Sequence, residues 1–196
     1  MAGQVILTAM AESTFLNPAK AVRAAHIDEG MHVADLGSGS GFFARAAARE
    51  VGDRGVVWAV DAHRDMLPRI KNFALGEGLR NVEVLHGNLE KVCGSNLPAE
   101  QFDYVIAANL FFSIEHKKIL VEEISRVLKR GGKALIIDWK DSFGGLGPHP
   151  THVASSEQIR ELFEASGFIF QSEIPAGEYH WGFIVRKKPA KAAQLN

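Results

Sequence analysis

Only one cysteine, Cys93, stands in the 196 residues. A disulfide framework needs pairs and a structural zinc site needs several thiolates, so both are excluded within a single chain. Such sparing use of cysteine points to a reducing cytoplasm. An excess of one charge is missing too: 22 Lys and Arg face 23 Asp and Glu, a net charge of -1. The chain therefore has no strong field to draw in nucleic acid or an anionic membrane. No uncharged apolar run reaches the roughly 18 residues of a bilayer-spanning helix. The opening MAGQVILTAMAESTF has no cationic start before its apolar run, unlike a secretion signal. Internal repeats and low-complexity segments are also absent.

What is present is the composition of an ordinary soluble globular protein, 46% apolar and 23% charged. The length suits one domain. Its expected limits are 17–188, with an N-terminal extension at 1–16 and a tail at 189–196. Within it, strand-like and helix-like segments alternate. NPAKAVRAAHIDEG (17–30) reads as a helix capped by Asn17, with Pro18 in its first turn and Gly30 at its end. HVADLG (32–37), GVVWAVDA (55–62), NVEVLHG (81–87), FDYVIAAN (102–109) and KALIIDW (133–139) read as strands. Helical patterns fall at 41–52, 63–78, 116–132 and 155–167. Apolar strands without polar alternation, separated by helices, are what a parallel sheet covered on both faces requires. FIFQSEI and YHWGFIVRKK are joined only by PAGE. That link is too short for a crossover helix, so this pair is expected to be antiparallel. The expected fold is α/β, a Rossmann-like, doubly wound, seven-stranded and mostly parallel sheet with a reversed C-terminal hairpin.

The first strand runs into Gly37, Gly39 and Gly41, and a helix follows. A glycine turn between a strand and a helix lets a ligand approach the backbone near the helix N-terminus. The spacing G-x-G-x-G is neither the dinucleotide fingerprint G-x-G-x-x-G nor a Walker loop. Asp61 ends the second strand 24 positions after Gly37, about where a ribose-binding acid is expected. It could equally cap the helix that starts just after it.

In order and spacing, VADLGSGSGFFA, VVWAVDAHRDML, VEVLHGNLEKV, FDYVIAANLFF and EISRVLKRGGKALIIDW resemble the successive motifs of class I S-adenosylmethionine-dependent methyltransferases. The general layout is most similar to the ubiquinone/menaquinone C-methyltransferase group and its small-molecule relatives. The resemblance implies a cytoplasmic transferase that takes S-adenosylmethionine. It implies that Asp35 orients the cofactor's ammonium end, that Gly37, Ser38 and Gly39 line it, and that Asp61 holds the ribose. Further cofactor contacts are implied at Gly41, Phe42, Ala62, Met66, Leu89, Asn109 and Leu110. Relatives commonly carry Asp after the third strand; here Asn88 stands there, and its amide oxygen can still accept from the adenine amino group.

The acceptor is expected to be a small molecule rather than nucleic acid. Asn109 is followed by Leu-Phe-Phe, not by the Pro-Pro-aromatic run of enzymes that methylate exocyclic amino groups. Arsenite methylation in related enzymes uses several cysteines. Acid–base candidates are Asp138, Asp141, His149, His152 and His180, with Asp138, His149 and His152 taken as the catalytic set. No metal is expected, and a homodimer stays open. Two alternatives remain: a cofactor-binding, non-catalytic methyltransferase-like subunit, and an NAD(P)-dependent Rossmann oxidoreductase. The glycine spacing and the terminal hairpin argue against the second.

Overall fold

The computed structural model describes residues 15–189; residues 1–14 of the expected extension and 190–196 of the expected tail lie outside them. Seven strands form one sheet in the order β3-β2-β1-β4-β5-β7-β6. They are β1 (His32–Leu36), β2 (Val56–Asp61), β3 (Val82–His86), β4 (Phe102–Ala108), β5 (Leu128–Trp139), β6 (Phe168–Glu173) and β7 (His180–Lys187). The pairs β1·β2, β1·β4, β2·β3 and β4·β5 are parallel, whereas β7 lies antiparallel to both β5 and β6. The expected sheet and its reversed hairpin are both present.

Side chains of successive strand residues point to opposite faces, and the core divides accordingly. Val33, Val57, Tyr104, Ile106 and Leu135 pack on one face against α1 (Pro18–Ala24), α2 (Phe42–Val51) and α3 (Met66–Gly76). Ala34, Leu36, Val105, Ala107 and Ile136 pack on the other against α4 (Lys117–Val127) and α5 (Ser156–Ala165). Because both faces are covered, the central strands carry apolar residues at nearly every position.

Two helix ends differ from expectation. Asn17 caps α1 through a hydrogen bond accepted from the Lys20 N–H, and Pro18 opens the helix as expected, yet α1 stops at Ala24 instead of running to Gly30. His26, at φ 53°, turns the chain out of the helix. The helix expected over 116–132 ends at Val127. Leu128 is extended, fully buried and paired with Phe102, so the residues expected to close the helix lead into β5 instead. Pairing with β4 overrides the local helical pattern there.

Candidate active site

The connections leaving β1 and β4 run to opposite sides of the sheet, so a crevice opens beyond the carboxyl ends of these two strands. A cavity of about 470 Å³ lies there. Asp35, Gly37, Ser38 and Gly39 form one wall, with Phe42 and Phe43 from the start of α2. Ala108 and Asn109 close the β4 side, Trp139 and His180 the far side, and Phe15, Leu16 and Pro18 cover it from the segment entering α1.

The glycine turn owes its residue types to two separate constraints. Gly37 has φ +72°, and a Cβ there would lie 2.6 Å from Cδ1 of Leu110, so the loops after β1 and β4 touch at this point. Gly39 has φ +51°, and a Cβ there would meet no protein atom within 4 Å. Its missing side chain leaves the cavity open. The Gly39 N–H donates to Oδ2 of Asp61 at 2.8 Å, and the His63 N–H donates to Oδ1 at 2.8 Å. Asp61 therefore braces the glycine turn and does not cap α3, whose N-cap position is Asp65. Oδ1 also lies 3.1 Å from the ring Nδ1 of His63, so Oδ2 is the oxygen that retains a second lone pair for a ligand hydroxyl.

Asp35 is 2% exposed, and among the described residues its Oδ2 has no hydrogen-bond partner. Burial pushes its carboxyl up to about 7, against the pull of the Ala44 N–H, and the charge of Asp61 adds to the rise. Across the cavity, the buried Oδ1 of Asn109 is likewise without a partner among the described residues. Asn109 sits at φ 53°, held by its N–H donating to the Ile137 carbonyl at 2.9 Å. Buried acceptors without donors are costly. Two of them beside an open glycine turn fit a ligand that brings donors, and Asp35 favours a cationic one.

The expected residues divide by position. Asp35, Gly37, Ser38, Gly39, Phe42 and Asn109 line the cavity together. Gly41 occupies the N-cap position of α2, and Leu110 packs on Gly37. Ala62 is exposed just after β2, and Met66 begins α3 half-buried. Asn88 and Leu89 follow β3, away from the cavity walls. The Asn88 Oδ1 accepts from the Glu90 N–H at 3.0 Å in a local turn, and Leu89 is in the core.

Asp138 is buried, but its oxygens accept from the N–H groups of Trp139 at 2.8 Å and Phe112 at 3.2 Å. Burial raises its carboxyl to about 6 in spite of those donors. It ties the turn after β4 to β5 and is not part of the cavity wall. His149 and His152 are exposed on a short 3-10 turn, their ring centroids 6.1 Å apart, with Nδ1 of His149 2.9 Å from Oγ1 of Thr151. They too stand outside the cavity. Asp141 is exposed as well. Among the described residues, no group of three or more His, Cys, Asp or Glu side chains converges to hold a metal ion.

The cofactor contacts expected from the sequence did not include Phe15, Leu16, Phe43, Trp139 or His180, all of which line the cavity. Trp139 and His180 are register partners on β5 and β7, and their rings lie 4.2 Å apart. The one available sequence signal was the strand pattern itself, since the antiparallel pairing of IDW with HWG puts Trp139 opposite His180.

Comparison with known proteins places this geometry among relatives. Residues 27–182 match a family described as a methyltransferase domain. The chain is 33% identical over 124 residues to a ubiquinone/menaquinone biosynthesis C-methyltransferase of Laribacter hongkongensis, covering 63% of this chain and 49% of that protein. It is 30% identical over 116 residues to an arsenite methyltransferase of Mus musculus, covering 56% of this chain and 31% of that one. The chain thus spans about half the length, or less, of these curated relatives. Among solved structures, a SAM-dependent methyltransferase of Aquifex aeolicus superposes with a TM-score of 0.79 at 30% identity, covering 88% of this chain and 90% of that one.

Proposed function

We propose, on the premise that the chain belongs to the methyltransferase-domain family, that residues 17–188 transfer a methyl group from S-adenosylmethionine to a small-molecule acceptor. Asp35 carries this reading. Its unpartnered, buried oxygen opens into a cavity at the switch point of the sheet, where a cationic amine supplies the donor and the charge that it lacks. When bound, the cofactor supplies a methyl group already activated on a sulfonium.

The chain's own part is binding and alignment. Asp35 accepts from the ammonium end, and the turn from Gly37 to Gly39 allows the ligand against the backbone. Asp61, with a lone pair left on Oδ2, takes a ribose hydroxyl. Ala62, Met66, Asn88 and Leu89 stand at the ends of β2 and β3, where the adenine ring extends. Asn109 and Leu110 hold the β4 side. Asp138 keeps their loop in place through the Phe112 N–H and acts as a positioning residue. His149 and His152 belong to the exposed loop through which an acceptor enters.

Phe15, Leu16, Phe43 and Trp139 make the remaining wall largely apolar, which favours an uncharged acceptor and keeps water from the transfer. Arsenite is disfavoured by the single, exposed Cys93. Among the described residues no helix is long and apolar enough to cross a membrane. The cysteine usage supports a cytoplasmic setting, and the charge balance gives no support to a nucleic-acid partner.

Calorimetric titration tests the cofactor assignment. S-adenosylmethionine and S-adenosylhomocysteine bind the wild type and NADH does not. Asp61→Ala loses at least about tenfold in affinity, or roughly 1.4 kcal/mol. Absence of adenosyl-ligand binding, or tight NADH binding, overturns the reading.

A further inference from the structure

His180 opens β7 and is only 2% exposed, yet among the described residues neither ring nitrogen has a hydrogen-bond partner. A neutral imidazole carries one donor and one acceptor, and leaving each unmet in a buried site is costly. Packing does not call for that cost. The ring lies against Trp139 at 4.2 Å and near Phe15 at 6.4 Å, contacts that a phenylalanine would make equally well. The unmet nitrogens require another partner.

His180 lines two cavities. One is the mostly apolar cavity that holds Asp35 and Asn109. The other is a second cavity of about 650 Å³ with Lys140, Glu157 and Glu173 in its walls. The charged and titratable groups around the ring are Asp35 in the first cavity, these three in the second, and the buried Asp138 on β5, which is tied to backbone N–H groups. Burial first, and then the charge of Lys140, hold the imidazole neutral down to about pH 4.

We propose that His180 is the acceptor-side catalytic residue: it accepts a hydrogen bond from the hydroxyl of a neutral, apolar small molecule and takes that proton as the oxygen is methylated. This rests on the methyl-transfer reading. An oxygen lone pair forms the new O–C bond, and the C–S bond of the methylsulfonium donor breaks with its electron pair passing to sulfur. The O–H pair stays on oxygen while the proton moves to the imidazole. Alkylation makes the hydroxyl proton strongly acidic, so a weakly basic imidazole suffices. One positive charge leaves sulfur as another arises on His180, so the charge of the site is unchanged. A cationic amine acceptor would add a second positive charge to the same apolar cavity.

The test uses 2-naphthol and 2-methoxynaphthalene as probes, titrated into protein saturated with S-adenosylhomocysteine. Wild type is expected to bind 2-naphthol about tenfold more tightly than its methyl ether. His180→Phe removes the preference, and His180→Gln keeps it, because the carboxamide oxygen still accepts. With S-adenosylmethionine, wild type forms 2-methoxynaphthalene, and His180→Gln forms it at least about a hundredfold more slowly at unchanged probe affinity. Equal affinity for the two probes, a preference that survives in His180→Phe, or no product from wild type overturns the proposal. S-adenosylhomocysteine affinity within about twofold of wild type shows that each variant is folded. Its loss in the wild type itself strikes at the cofactor assignment instead, so the two failures are distinguishable.

Discussion

At the scale of single residues, Asp35 combines burial with an unmet acceptor, and its titration follows from both. Its carboxyl in the fold, at about 7, lies above its ordinary value of 3.8. The stability it contributes is therefore complete below about pH 4 and is lost as pH rises through 7. Asp35→Asn is expected to stabilise the ligand-free protein by about 1–3 kcal/mol at pH 8 and to leave it nearly unchanged at pH 4, as read from urea midpoints. A cation bound beside Asp35 favours its charged form, so adenosyl-ligand affinity should rise from pH 5 to pH 8 and proton release should accompany binding at pH 6. Calorimetry in buffers of different ionisation heat measures that release. The glycine turn, Asp35 and Asp61 were legible in the sequence because all lie at strand ends within one stretch of chain. His180 was read as an acid–base candidate, but its place in the cavity beside Trp139 and Phe15 was not legible, because three distant segments meet only when β7 pairs with β5. Whether a buried nitrogen finds a partner is decided by tertiary structure and leaves no mark on local pattern.

At the scale of elements, the loop after β3 is pinned to α4 by one buried cluster. Glu123 accepts from the Ser95 N–H at 3.1 Å, from the Ser95 hydroxyl, and from Arg126 at 2.7 Å, while Arg126 also donates to the Leu97 carbonyl at 2.7 Å. Burial works to raise the Glu123 carboxyl, but the Arg126 and Ser95 donors outweigh it and hold the group below its ordinary range. Its contribution is therefore present above the ordinary carboxylate range and lost as pH falls. Glu123→Ala leaves Arg126 without its carboxylate and should cost about 2–4 kcal/mol in denaturant unfolding at pH 7. Because Asn88 and Leu89 sit on the pinned loop, adenosyl-ligand affinity should fall with it. A cap was the legible part at this scale: Asn17 with Pro18 marks the start of α1. The end of α4 was not legible, since Leu128 fits a helix by pattern and a strand by its pairing with Phe102.

At the scale of the whole molecule, the binding crevice is a consequence of strand order, and ligand binding should register as global stability. At a ligand concentration about a hundredfold above Kd, S-adenosylhomocysteine should add about 2.7 kcal/mol. For a domain of this size that is roughly 5–10 °C in melting temperature, measured by differential scanning calorimetry, and a tenfold weaker Asp61→Ala keeps about half of it. The sheet was legible as a whole because its apolar strands and the short PAGE link leave few topologies. The placement of β7 has a further consequence for biosynthesis. A nascent chain that has emerged through residue 110 already holds β1 to β4, the glycine turn, Asp35 and Asp61. The strand that fills the gap between β5 and β6 comes after both of them, so a ribosome-bound intermediate carries an open sheet edge at β5 until residues 180–187 emerge. The cofactor side of the crevice can thus take shape during synthesis, whereas the wall that would face an acceptor closes only when β7 slots into place.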